Sequence, residues 1–220
     1  MPSPTPKLAD PVAPAPAGDR AKQVGPAVLK IVFAGGFGVG KTTCVRSVSE
    51  IEPLATEEYL TEASTPTDSL QGVEAKDTTT VAFDFGRLTL DVPVPMELFL
   101  FGTPGQDRFT DIWYDLSQGA VGAVVLADTR RLEKSFTAVS FFEQVGLPFV
   151  VAVNQFDGSY RYPEADIRQA LDLSPHIPVV TCDARVATSV ARVLLTLVDH
   201  ALSHTPTNLA HPTHATLLDA

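Results

Sequence analysis

Apolar and polar residues are distributed along this chain in two alternating patterns. One is the short, nearly continuous apolar run, as in VLKIVFA at 28–34, Val121 to Ala127 and Phe149 to Val153. Runs of this kind suit strands covered on both faces. The other is helical spacing, as in Cys44, Val48 and Ile51. The pattern predicts strands near 28–34, 80–90, 96–101, 121–127, 148–153 and 177–181. It predicts helices near 41–51, 107–117, 131–145, 163–172 and 187–202. The segment Asp91 to Pro95 joins the second and third strands and predicts an antiparallel hairpin there. Such alternation implies an α/β fold, a mostly parallel central sheet flanked by helices, with ligands at the carboxyl ends of the strands. Residues 52–79 are the longest stretch without a clear element, apart from a short helix around 55–63. They carry Glu52, Glu57, Glu58 and Glu62, and a loop this long in a compact domain is functional or mobile as a rule.

The two ends break the pattern. Residues 1–27 are rich in Pro and Ala and read as a disordered or extended leader. Residues 203–220 read as a flexible tail; His204, His211 and His214 lie there at a spacing that fits no tight metal cluster. Between them, 28–202 is long enough for a single buried core. The formal charge of −10 argues against nonspecific nucleic-acid binding, which needs a basic face. Cys44 and Cys182 make no disulfide framework and read as small buried residues in a reduced, cytoplasmic setting. No apolar run approaches the roughly 18 residues of a membrane span, and neither end carries a secretion or lipidation signal. Membrane contact would come through a partner.

The first strand and helix are joined by Gly35-Gly36-Phe37-Gly38-Val39-Gly40-Lys41-Thr42, which fits G-x-x-x-x-G-K-[ST]. Glycines let the backbone turn its N–H groups onto phosphate oxygens, and the helix N-terminus adds its dipole. Lys41 brings a positive charge to the outer phosphates, Thr42 a hydroxyl for Mg²⁺, and Thr43 completes the loop. Strand, glycine loop and helix in this order confirm a phosphate-binding loop.

Five further stretches make the chain, over about residues 28–202, resemble the Ras-like small GTPases. Gly102-Thr103-Pro104-Gly105-Gln106-Asp107-Arg108-Phe109 resembles the D-T-A-G-Q-E-R-F segment that opens the second switch. The resemblance implies that Gly105 offers its N–H to the γ-phosphate and that Gln106 orients the attacking water. Asn154-Gln155-Phe156-Asp157 resembles N-K-x-D, the guanine reader. A carboxylate at Asp157 accepts from the guanine N1–H and exocyclic amine, a donor pair adenine does not present. Cys182-Asp183-Ala184-Arg185 resembles the loop whose Ala N–H meets the guanine oxygen, so Ala184 is the implied base contact with Arg185 beside it. Asp128 with Ser135-Phe136 matches a further family pattern, read as structural. For the first switch, Thr80 fits T-x-G-x-D-F best and is the implied second Mg²⁺ ligand; Thr79 and Thr78 remain alternatives.

Three positions depart from that family. Gly102 stands where an Asp supports Mg²⁺, Gln155 replaces the Lys that packs on the base, and the bulky Phe37 occupies a phosphate-loop position that is Gly in Ras. Gly102, Pro104 and Phe37 together resemble the bacterial MglA-like GTPases, and the K-I-V-F-A-G-G-F-G-V-G-K-T-T and F-D-F-G-R-L segments resemble the conservon-type GTP-binding proteins of actinobacteria. That resemblance implies a Roadblock-type regulator and a sensor-kinase-like partner. An internal arginine finger has no counterpart where MglA carries it, and Arg108 is the nearest substitute. The expectation is a GTP- and Mg²⁺-dependent switch that hydrolyses GTP slowly unaided. Two rivals stand beside it: a nucleotide-holding pseudo-GTPase scaffold, and an ATP-using protein favoured by Gln155.

Overall fold

The computed structural model describes residues 25–52, 54–60, 79–105 and 110–204. Its elements run β1 (Ala27–Ala34), α1 (Lys41–Val48), β2 (Leu54–Leu60), β3 (Thr79–Leu90), β4 (Met96–Gly102), α2 (Thr110–Ser117), β5 (Gly122–Ala127), α3 (Phe136–Val145), β6 (Phe149–Asn154), α4 (Glu164–Ala170), β7 (Val179–Cys182) and α5 (Ala187–His204). The strands form one seven-stranded sheet in the order β2-β3-β4-β1-β5-β6-β7. β1 lies parallel to β4 and β5, and β5, β6 and β7 continue parallel, while β2-β3 and β3-β4 are antiparallel. The expected hairpin between the second and third predicted strands is β3-β4, with Asp84 opposite Gly102.

Alternation along β1 sorts the core onto two faces, because successive side chains in a strand point opposite ways. Ile31 and Phe33 face α1 and α5, joined by Cys44, Val45, Leu194 and Leu197. Val32 and Ala34 face α2, α3 and α4, joined by Trp113, Phe142 and Ile167. β5 and β6 are buried at every residue, which is why they read as unbroken apolar runs. α3 stops at Gly146, whose φ of 67° is the left-handed cap that ends a helix without strain. α1 stops early, at Val48. There the Ser49 hydroxyl accepts the backbone N–H groups of Ile51 and Arg87 and fastens the helix end to β3.

Three sequence expectations change. The short helix around 55–63 is instead β2, an edge strand paired with β3 from Leu54 opposite Phe85 to Leu60 opposite Thr79. The Ala and Glu of LATEEYL favour a helix, but cross-strand pairing outweighs so weak a local preference. The helix expected from 131 begins with a 3-10 turn, Leu132–Ser135, before α3. His204, assigned to a flexible tail with Ser203, is the last residue of α5, because the apolar stripe Val190, Val193, Leu194, Leu197, Val198 and Ala201 carries the helix to that end. Most of the leader and of the tail lies outside the described residues.

Candidate functional site

The carboxyl ends of β1, β4, β6 and β7 converge on one rim of the sheet. After β1 the chain turns through Gly35 to Gly40 and enters α1 at Lys41. Gly40 holds φ 109°, and a Cβ there would come within 2.6 Å of the Asn154 amide nitrogen, so no other residue fits the turn. Lys41 is buried and its ammonium donates to the carbonyls of Gly35 at 2.7 Å and Gly36 at 2.9 Å. Burial lowers its pKa to about 8, with the charge of Asp84 acting the other way. The cation is held across the loop with backbone carbonyls as its hydrogen-bond partners, ready to exchange them for anionic oxygens.

Beside it lies a cavity of about 390 Å³ lined by Phe37, Lys41, Thr42, Asp84, Thr103 and Gly105 among others. Thr42 donates its hydroxyl to Asp84 Oδ2 at 2.5 Å. Asp84 belongs to β3, opposite Gly102 in β4, and a Cβ built on Gly102 would meet Asp84 Oδ2 at 3.0 Å. The Asp84 carboxylate, reaching over from the neighbouring strand, thus stands in the space beside Gly102. Sequence reading missed this role of Asp84. Its signal was there, an Asp in the F-D-F stretch of one hairpin arm and a Gly facing it across the other. A hydroxyl and a carboxylate in contact are hard oxygen donors, the set that suits Mg²⁺.

Thr103 is a second residue the sequence left unassigned. Its hydroxyl is buried at the cavity with no hydrogen-bond partner among the described residues. Gly105 sits tightly over the loop: a Cβ there would be 2.8 Å from the Lys41 ammonium and 2.8 Å from the Phe37 Cα. Phe37 itself projects outward at 74% exposure, rimming the cavity rather than filling it. The Trp113 indole donates to the Pro104 carbonyl at 3.0 Å and anchors this segment to α2. Gln106 and Arg108 lie outside the described residues, as does Thr78. Thr80 is a β3 residue opposite Tyr59, four residues before Asp84 and thus about 13 Å along the strand. In this arrangement Thr79 and Thr80 belong to the sheet and not to a loop over the phosphates.

Asn154, at the end of β6, joins the two halves of the rim. Its Nδ2 donates to the Val39 carbonyl at 2.9 Å, and its Oδ1 accepts the Ala184 N–H at 3.0 Å. The Ala184 amide that the resemblance assigns to a base thus has a partner within the protein here. Gln155 folds back toward the Val153 carbonyl at 3.4 Å, leaving its Oε1 buried and without a partner among the described residues. Asp157 stands exposed, and Arg185 grips it at 2.9 and 3.1 Å while also holding Asp183 at 3.0 Å through two contacts. The Arg185 hydrogen bonds hold the carboxyls of Asp157 and Asp183 below their ordinary range. Below this loop, Arg130 bonds the buried Asp128 at 2.9 and 2.8 Å and lies 3.9 Å over the Phe156 ring. Asp128, read as structural, is the foot of that prop.

The comparisons with known proteins agree with a phosphate-loop fold. The G domain of the T. maritima FeoB iron transporter superposes with a TM-score of 0.56 at 17% identity, over 79% of this chain and 99% of that one. At that identity the likeness establishes the fold: a P-loop G-domain architecture. Solved chains of this shape are numerous, 1019 of them, so the shape alone selects no single activity. No curated protein matches the sequence. The family described as conserved hypothetical ATP binding protein matches residues 33–204, from the end of β1 to the end of α5. That span includes the phosphate loop, Asp84, Asn154 and the Asp157 loop, and on it the chain belongs to this family of conserved hypothetical ATP binding proteins.

Proposed function

We propose that the chain is a small GTP-binding protein that hydrolyses GTP to GDP and phosphate and acts as a nucleotide-dependent switch. One observation carries the reading. Asn154 ties the phosphate loop at Val39 to the loop at Ala184, so a nucleotide on Lys41 has its base beside Asp157. The Asp157 carboxylate offers acceptors only, which suits the N1–H and amine donors of guanine. To bind, the base takes that carboxylate from Arg185, and the freed guanidinium is left to lie along the base plane in the place Gln155 vacates.

In this reading Lys41 and the loop N–H groups neutralise the phosphate oxygens, and Gln106 positions the water that attacks the γ-phosphate, with Arg108 beside it. Thr42 and Asp84 would hold Mg²⁺, with Thr80 joining if the first switch reorganises. The ion, when bound, would supply charge neutralisation to the phosphate oxygens. Gly105, already in contact with the phosphate loop, offers its N–H to the γ-phosphate. Phe37 at the rim obstructs an incoming arginine from a partner and favours slow turnover. A Roadblock-type regulator and a sensor-kinase-like protein are the partners this reading expects, with any membrane association passing through them. Among the described residues no helix is long and apolar enough to cross a membrane.

The description of the family favours a second reading, an ATP-using protein, and Gln155 in the base loop is the residue that suits it. The third reading is a pseudo-GTPase scaffold, for which Gly102 and Phe37 speak; the Asp84 carboxylate beside Gly102 and bonded to Thr42 speaks against it. Competition of GTP and ATP for the purified protein separates the first two readings. Preference for GTP, lost in Asp157→Ala, supports the guanine reading; an Asp157→Ala protein that still prefers GTP removes Asp157 as the reader. Phosphate release that is measurable in the wild type and lost in Gln106→Leu separates a GTPase from a scaffold.

A further inference from the structure

Asp128 follows the last residue of β5, and each of the three residues after it reaches another loop of the site. Its buried carboxylate accepts the Arg130 backbone N–H at 3.0 Å and the Arg130 guanidinium at 2.9 and 2.8 Å. The Arg131 guanidinium stands 3.6 Å from the same carboxylate. Held there, Arg130 lies 3.9 Å over the ring of Phe156, the residue before Asp157. Thr129 donates its hydroxyl to the Tyr160 carbonyl at 3.2 Å, on the far side of Asp157. Arg131 reaches the phosphate loop instead and donates to the Phe37 carbonyl at 3.4 Å. We propose that Arg130 and Arg131, both held by Asp128, are positioning residues for the nucleotide: Arg130 for the loop that carries Asp157, Arg131 for the phosphate loop. The proposal rests on the reading of Gly35 to Thr42 as the phosphate cradle and of the Asp157 loop as the base contact.

Arg131 acts through one peptide group. The Phe37 carbonyl and the Gly38 N–H share a planar unit and point opposite ways. A cation bonded to the carbonyl therefore fixes the direction of the Gly38 N–H, one of the loop donors for phosphate oxygens, and strengthens it as a donor. Asn154 and Lys41 hold the carbonyls of Val39, Gly35 and Gly36 in the same manner. Arg131 lines a small cleft with Gly36, Val39 and Lys134, and does not line the cavity beside Lys41. It works from behind the loop.

Arg130 acts through Phe156. A guanidinium with its edge in a two-bond fork to a buried carboxylate and its face on a ring has little freedom left. Ser159 closes the turn from within, its N–H and hydroxyl both donating to the Phe156 carbonyl at 3.1 and 2.8 Å. With Thr129 on Tyr160, the turn bearing the exposed Asp157 is fastened on both sides.

The test is calorimetric binding of GDP and of ADP, each with Mg²⁺, to the full chain and its variants; neither carries a γ-phosphate, so turnover does not enter. Arg131→Ala should weaken both by the same factor, about tenfold, the worth of one hydrogen bond to a charged group. Their ratio should stay as in the wild type. Arg130→Ala should weaken the preferred nucleotide by about tenfold and the other far less, because only the base contact is displaced. Thr129→Val leaves Asp128 paired, so it reports even if Arg130→Ala fails to fold, and it should move the ratio the same way by a smaller step. Arg131→Lys keeps a cation and a donor and should recover most of the Arg131→Ala loss. Arg130→Lys cannot make the fork to Asp128 and should not recover its own. A wild type that prefers ADP removes the guanine reading and leaves these expectations in place, since the ratio still moves toward one. The proposal is overturned if Arg130→Ala and Thr129→Val both keep the wild-type ratio. It is equally overturned if Arg131→Ala changes that ratio or binds both nucleotides as tightly as the wild type, or if the wild type binds neither nucleotide or both alike.

Discussion

Replacing Asn154 with Ala tests the bridge on which the site depends. The side chain is buried at 4% exposure and satisfies two backbone groups that are themselves enclosed, the Val39 carbonyl and the Ala184 N–H. Truncation leaves both without a partner. Each buried unsatisfied group costs about 1–3 kcal/mol, so the pair costs about 2–6, and water entering the gap beside Gly40 brings the expected loss to about 3 kcal/mol. Against a total stability of about 5–15 kcal/mol that is a large fraction. Urea unfolding of the nucleotide-free protein, at a slope of about 2 kcal/mol/M, should show the midpoint falling by about 1.5 M with the slope unchanged. Asn154→Asp keeps an acceptor for Ala184 but turns a second oxygen onto the Val39 carbonyl, so it should gain back no more than half of that loss. A midpoint shift under about 0.3 M for Asn154→Ala would refute the argument, because two orphaned groups cannot cost so little.

Three further outcomes follow from the same geometry. Lys41, with a pKa of about 8 in the ligand-free loop, should take up on the order of half a proton when GTP binds at pH 8, since phosphate restores the charged form. Affinity is then full below about pH 8 and falls as pH rises through it; binding heats that do not depend on buffer ionisation enthalpy would contradict this. Asp84→Asn should weaken Mg²⁺ binding to the nucleotide complex by about 10–100-fold while leaving Mg²⁺-free nucleotide affinity near the wild type, and an equal loss in both would assign Asp84 another role. The Arg130 hydrogen bonds depress the Asp128 carboxyl, so this contribution is complete above the unfolded carboxylate pKa of about 3.9 and is lost as pH falls through the lower folded value. Asp128→Asn should therefore flatten the acid limb of the stability curve, and an unaltered limb in acid titration followed by circular dichroism would exclude the link.

The parts of the molecule legible in the sequence are those whose signal is local. β5 and β6 announce themselves because burial on both faces leaves no polar residue to interrupt them. The phosphate loop is legible because its turn demands Gly40, and Gly40 sits at a fixed offset from Lys41. β2 was not, because its pairing partners, from Leu60 with Thr79 to Leu54 with Phe85, lie far along the chain and its own letters favour a helix. Asp84 was not, because position 102 and position 84 share one space only after β3 and β4 pair. The ring contact of His176 with His204 was hidden in the same way: the two meet through the fold, and the sequence shows only their distance along the chain. The Arg185 clasp on Asp157 and the Arg130 contact on Phe156 are likewise products of loops brought together by strands.

The last helix fixes how the two ends of the molecule can communicate. α5 has 18 residues, from just after Arg185 to His204, and so measures about 27 Å. It is packed along its length against α1, β5, β6 and β7, with Val190, Leu194 and Leu197 fully buried. That packing holds the rod along most of its length, and 27 Å is about three screening lengths at physiological salt. Charge placed at the His204 end is therefore not felt at the phosphate loop.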